Sequence, residues 1–149
     1  MKFWDSSAII PLCVEEQRTD SVQAIVDEDG NLAAWWGTPV ECCSAFARIR
    51  RENRITPVEE HALRGRIDAL AEYWGEIDPS NEVRVLARRL LLRHQLRAAD
   101  SLQLAAAIVW TGNQPEGSNF VCLDTRLREA AQAEGFTVLP TQQIFDLFI

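Results

Sequence analysis

Apolar residues along this chain fall into short unbroken runs separated by longer amphipathic stretches. KFW (2–4), NLAAWW (31–36), NFVCL (119–123) and FTVLP (136–140) are apolar at nearly every position. That pattern predicts strands buried on both faces rather than strands with one wet side. A fifth, very short strand is expected within 73–77. Between the runs the period changes to that of helices. SSAIIPLCVEE reads as a short helix bent near Pro11, and 19–28 as a second one closed by Gly30. Thr38, Pro39 and Glu41 stand as N-cap, N1 and N3 of a helix running to about Asn53. Thr56, Pro57 and Glu59 repeat that grammar, and Leu63, Ile67, Leu70, Ala71 and Trp74 follow at helical spacing. Asp78-Pro79 is expected to cap a helix reaching about His94, and Asp100 to open an alanine-rich one ending at Trp110. TGNQPEGS is a loop, 125–134 a helix closed by Gly135, and Thr141 caps a last helix. Short strands alternating with helices predict an α/β fold: about five parallel strands with helices on both faces.

Composition narrows this picture little. The chain has 149 residues, 47% apolar and 25% charged, which fits a single domain spanning 1–149. No apolar run approaches the roughly 18 residues a membrane span requires. An acid at position 5 interrupts what would be the apolar core of a secretory leader. Four cysteines without a C-x-x-C pair, and two histidines, argue against zinc and for a reducing, cytoplasmic home. All four cysteines read as small core residues. Trp35 and Trp36 read as buried strand residues rather than a base-stacking platform.

Charge changes the picture more. The formal net charge is −7, unusual for a nucleic-acid binder. Yet Arg84, Arg88, Arg89, Arg93 and Arg97 form a basic block without an acid, on a helix whose Val83, Leu86, Ala87, Leu90 and His94 share one face. Val85, Leu92 and Leu96 form a second apolar strip, a candidate dimer or partner surface. Asp5, Glu41 and Asp124 each sit where an apolar run yields to a helix, and Asp100 opens a helix without a strand directly before it. In a parallel sheet the carboxyl ends of all strands share one edge, where ligand sites form. Each acid taken alone reads as a helix cap before it reads as a catalytic group; what shifts the balance is that they share an edge. Several carboxylates on one edge repel one another unless a cation intervenes, and Mg²⁺ prefers carboxylates, waters and phosphates.

MKFWDSSAII, TPVECCSAFARIR, LRAADSLQLAAAI and FVCLDTRLREAAQAEGFTVLP, in that order, resemble the PIN domain, and within it the VapC-type toxins of bacterial toxin–antitoxin pairs. The resemblance spans nearly the whole chain, and LRAADSLQLAAA is its most specific piece. It implies a single PIN-like domain and a metal site of Asp5, Glu41, Asp100 and Asp124 holding Mg²⁺ or Mn²⁺. Those four are then both ligands and catalytic residues of an endoribonuclease that hydrolyses RNA with metal-activated water. Ser7 and Arg97 are candidate substrate contacts; the Ser7 hydroxyl is alternatively a support for Asp5. Arg48, two turns after Glu41, resembles a frequent family arginine. A cognate antitoxin, an RNA substrate and a homodimer are the implied partners, with no membrane. The alternatives are an RNA-processing nuclease that is not a toxin, and a non-catalytic binding module on the same fold. A phosphoacceptor domain fits less well, because no lysine follows Lys2.

Overall fold

The computed structural model describes residues 1–148; Ile149, the last residue of the expected domain, lies outside the described residues. Five parallel strands form one sheet: β1 (Lys2–Trp4), β2 (Leu32–Trp35), β3 (Gly75–Ile77), β4 (Asn119–Val121) and β5 (Thr137–Leu139). Their order is β3-β2-β1-β4-β5. The helices are α1 (Ser6–Cys13), α2 (Thr19–Glu28), α3 (Thr38–Arg51), α4 (Pro57–Tyr73), α5 (Asn81–Arg93), α6 (Ala98–Trp110), α7 (Thr125–Ala133) and the short α8 (Gln142–Phe145). The expected α/β class, strand number and parallel pairing are all present.

The two-residue period of each strand sends neighbours to opposite faces. Phe3, Ala33, Trp35, Phe120 and Cys122 pack with α5, α6 and α7. Trp4, Leu32, Ala34 and Val121 pack with α1 to α4. Both faces are therefore covered, which is why the inner strands β1, β2 and β4 carry no polar alternation, while the edge strands β3 and β5 expose Glu76 and Thr137. The chain winds from β1 outward to β3 along one face, then returns on the other face to begin again at β4. The strand order thus reverses between β1 and β4. Their carboxyl ends diverge into helices on opposite faces, leaving a crevice at that edge.

Several local expectations are corrected. Trp36 is 54% exposed; β2 ends at Trp35, and the next side chain has left the sheet. Cys43 is only half-buried, whereas Cys13, Cys42 and Cys122 are core residues. The helix after β3 is capped by Ser80, whose hydroxyl accepts from the Val83 amide at 3.2 Å, not by Asp78. Leu96 packs against the core while Leu92 is 89% exposed, so the second apolar strip does not form one continuous surface. The Thr56–Glu59 capping box is present, with both hydrogen bonds at 3.1 Å. The box expected at Thr38–Glu41 is not. Gly37 occupies the cap, and Thr38 and Glu41 turn inward instead. Gly37 is there because the Trp35 indole folds over the turn: a Cβ would meet its Nε1 at 2.6 Å.

Candidate active site

Asp5 is the residue immediately after β1. Its backbone amide continues the ladder by donating to Val121 of β4 at 3.0 Å, which fixes it at the point where the strand order reverses. Its side chain is 2% exposed. Oδ2 accepts from the Ser7 amide (3.1 Å), the Ser7 hydroxyl and, more distantly, the Cys122 thiol (3.5 Å). Oδ1 is buried with no partner among the described residues. Asp5 is therefore the N-cap of α1 and also presents an unsatisfied carboxylate oxygen. Burial pushes its pKa up to about 6, against the pull of the Ser7 hydrogen bonds and with repulsion from Asp100 adding to it.

Glu41 approaches from the first turn of α3. Ser6 donates to its Oε1 at 3.0 Å and the Gln103 amide to its Oε2 at 2.9 Å. Burial, then repulsion by Asp5, push its pKa up to about 7, the two donors and a smaller repulsion from Asp100 acting within that. Asp100 lies in the first turn of α6, which begins at Ala98 rather than at Asp100. Its pKa is raised by burial and by Asp124, partly offset by the Arg97 amide and guanidinium. Asp124 caps α7, its Oδ1 accepting from the Leu127 amide at 2.9 Å. Arg128, buried behind it, donates to the Cys122 and Pro140 carbonyls at 2.9 and 2.8 Å and ties the ends of β4 and β5 together.

The four acids thus share one edge and repel one another, and Glu41, Asp100 and Asp124 line an open cleft of about 820 Å³ with Asp5 beneath it. No three His, Cys, Asp or Glu side chains among the described residues close around a single point. A preformed cage is what calcium or zinc sites show; Mg²⁺ keeps several waters and takes one or two carboxylates together with substrate phosphate. The donor set fits such an ion: hard carboxylate oxygens only, one of them buried and unpartnered.

Arg48, Arg97 and Arg126 line the same cleft. The side-chain ion pairs of the described residues involve other arginines, Arg50, Arg54 and Arg93. Ser7 is placed differently from a substrate contact. Its hydroxyl donates to Asp5 and accepts from the Leu123 amide at 2.9 Å, so both sides of it are engaged. Sequence reasoning missed Ser6, Gln103 and Arg126. Ser6 is the residue beside the first acid, and Arg126 lies two residues after the last. Gln103 occupied a position that reads as half of a capping box with Asp100, which hid its inward orientation.

Neither a protein-family model nor a curated protein sequence matches the chain. Solved structures do. VapC20 of Mycobacterium tuberculosis, described as a sarcin–ricin loop cleaving toxin, superposes with a TM-score of 0.66 at 16% identity, over 92% of this chain and 97% of that one. FitAcB from Neisseria gonorrhoeae gives 0.65 at 16% identity over 93% and 96%. VapBC2 from Rickettsia felis, bound to a fragment of its promoter DNA, gives 0.65 at 10% identity over 92% and 96%. The chain has the PIN-like α/β fold of the VapC and FitB toxin–antitoxin proteins.

Proposed function

We propose that this chain is a Mg²⁺-dependent (or Mn²⁺-dependent) endoribonuclease and the toxin of a type II toxin–antitoxin pair. The observation that carries the reading is the buried, unpartnered oxygen of Asp5 beneath a cleft lined by three further acids. A bare carboxylate oxygen away from water costs several kcal/mol unless a proton or a cation meets it. Asp5, Glu41, Asp100 and Asp124 would hold the cation. When bound, a divalent ion there acidifies water and neutralises charge on the scissile phosphate.

The chain's own residues supply the rest. Ser7 and Cys122 fix one oxygen of Asp5, leaving the other free. Ser6 and Gln103 fix both oxygens of Glu41. Arg97 and Arg48 on the cleft wall would take substrate phosphates, and Arg126 extends that rim. Arginine suits this role because its guanidinium stays charged and forks onto phosphate oxygens. An acidic chain then binds a polyanion through a local basic rim. Preference for RNA, and for an antitoxin, comes from the likeness to the VapC and FitB proteins. An antitoxin segment with an arginine or lysine reaching the acids would block the cleft by taking the cation's place. The exposed Val85, Leu91 and Leu92 on α5 are the surface we assign to a homodimer. No helix among the described residues is long and apolar enough to cross a membrane.

The test is cleavage of a defined RNA by the purified chain. Chelator should abolish it, Mg²⁺ or Mn²⁺ should restore it, and Asp5→Asn should be inactive in both. Cleavage that persists in chelator and in Asp5→Asn defeats the proposal. Growth arrest on expression, relieved by co-expressing a neighbouring reading frame, separates a toxin from an RNA-processing enzyme.

A further inference from the structure

Gln103 is fully buried in α6, among Leu104, Ala105, Ala106, Ala107 and Ile108. Its Nε2 donates to Thr38 Oγ1 and to Glu41 Oε2, both at 2.9 Å. Its Oε1 is buried with no partner among the described residues. Leaving an amide oxygen unpaired costs roughly 1–3 kcal/mol. A methionine of similar volume would fill the same space without that cost but would take the donor away from Thr38 Oγ1 and Glu41 Oε2. The unpaired oxygen thus offsets much of what the two bonds contribute, and fold stability alone does not account for an amide here. Its two contacts do. Thr38 holds the amide in one orientation, and the amide holds one oxygen of Glu41 while Ser6 holds the other. The choice of a neutral donor also follows. A lysine or arginine at 103 would fix Glu41 equally well but cancel the charge that a cation needs.

We infer that Gln103 is a positioning residue, orienting the Glu41 carboxylate toward a divalent cation in the cleft while touching neither cation nor substrate. This rests on the metal-site reading above. Glu41 is reached from α3, whereas Asp100 belongs to α6, the helix that carries Gln103. The amide is thus the direct link that sets one acid's side chain against the helix bearing another. Without it, a three-torsion side chain must be ordered each time a cation binds. Removing such outer supports typically lowers metal affinity 10–100-fold.

The experiment measures Mn²⁺ binding directly, by calorimetry and by the electron spin resonance signal of free Mn²⁺. The proteins are the wild type, Gln103→Met, Glu41→Gln and the double variant, with thermal unfolding in chelator alongside. Gln103→Met is expected to stay folded, with a melting temperature within several degrees of the wild type, and to bind Mn²⁺ about 10-fold or more weakly. The double variant should bind no more weakly than Glu41→Gln alone, because the glutamine acts through that acid. Gln103→His, which keeps a ring N–H donor, should retain most of the affinity. Losses that add in the double variant, or wild-type affinity in Gln103→Met, overturn the inference while leaving the metal site standing. Gln103→Leu is the second apolar replacement, and failure of both to fold makes the glutamine structural and overturns it too. A wild-type chain that binds no Mn²⁺ overturns the metal-site reading and this inference together.

Discussion

Replacing Asp5 with asparagine should stabilise the metal-free protein at neutral pH while removing its response to Mg²⁺. Asparagine keeps an acceptor for the two Ser7 donors and discards the charge. Burial raises the Asp5 pKa from 3.8 to about 6. A raised acid holds its proton longer in the folded state than in the unfolded one. The stability this lends is fully present below 3.8 and is lost as pH rises through about 6. The loss amounts to about 3 kcal/mol by pH 7.5, at 1.36 kcal/mol for each unit. At pH 4 it is about 0.5 kcal/mol. The new amide N–H₂ has to find its own partner, but that cost does not vary with pH. The advantage of Asp5→Asn over the wild type should therefore grow by about 2 kcal/mol between pH 4 and pH 7.5. For a chain of 149 residues that is a change of about 4–8 °C in the difference between the two melting temperatures. The assay is thermal unfolding at both pH values in chelator, repeated at pH 7.5 with excess Mg²⁺. Mg²⁺ should raise the wild-type melting temperature by mass action and leave Asp5→Asn unmoved. A stability difference that stays flat with pH, or equal Mg²⁺ stabilisation of the two proteins, would refute the argument.

Arg97→Ala should weaken RNA binding and reduce the slope of log affinity against log salt by about 0.7 to 0.9, the loss of one phosphate contact; an unchanged slope in a folded variant assigns Arg97 to structure. Gly37→Ala must displace the Trp35 indole, whose Nε1 lies 2.6 Å from the new carbon, and should cost about 1–3 kcal/mol in a denaturant titration. Because that turn launches α3, Mn²⁺ affinity should fall with it, and a variant as stable as the wild type would show that the turn adjusts freely. Leu92→Glu, at a position 89% exposed, should leave the unfolding free energy of the monomer within about 0.5 kcal/mol yet yield monomer in sedimentation; an undiminished dimer would place the interface elsewhere.

The centre of the sheet was readable because β1, β2 and β4 are buried on both faces, so their residues are mostly apolar without alternation and the runs stop abruptly at Asp5, Gly37 or Asp124. Parallel pairing then dictated that those stops share an edge. Trp36 was misread because burial ends where the chain leaves the sheet, and an apolar run carries no mark of that point. At Thr38 the capping grammar pointed the wrong way. A threonine followed by proline and glutamate satisfies the helix end locally, as it does at Thr56. Near Thr38, however, a second helix supplies a donor that both side chains meet instead. The same competition hid Gln103, whose partners are 62 and 65 residues away. Local patterns record what a side chain can do for its own turn, and they do not show a contact across the sheet edge. A polar residue within an unbroken apolar helix face is the one local sign of such a contact. SLQLAAAI contains it: Gln103 sits one position before the apolar run LAAAIVW and faces inward with the five buried residues that open that run. An inward glutamine there has to find a partner across the interface, and the acid delivered by the facing helix is the partner it finds.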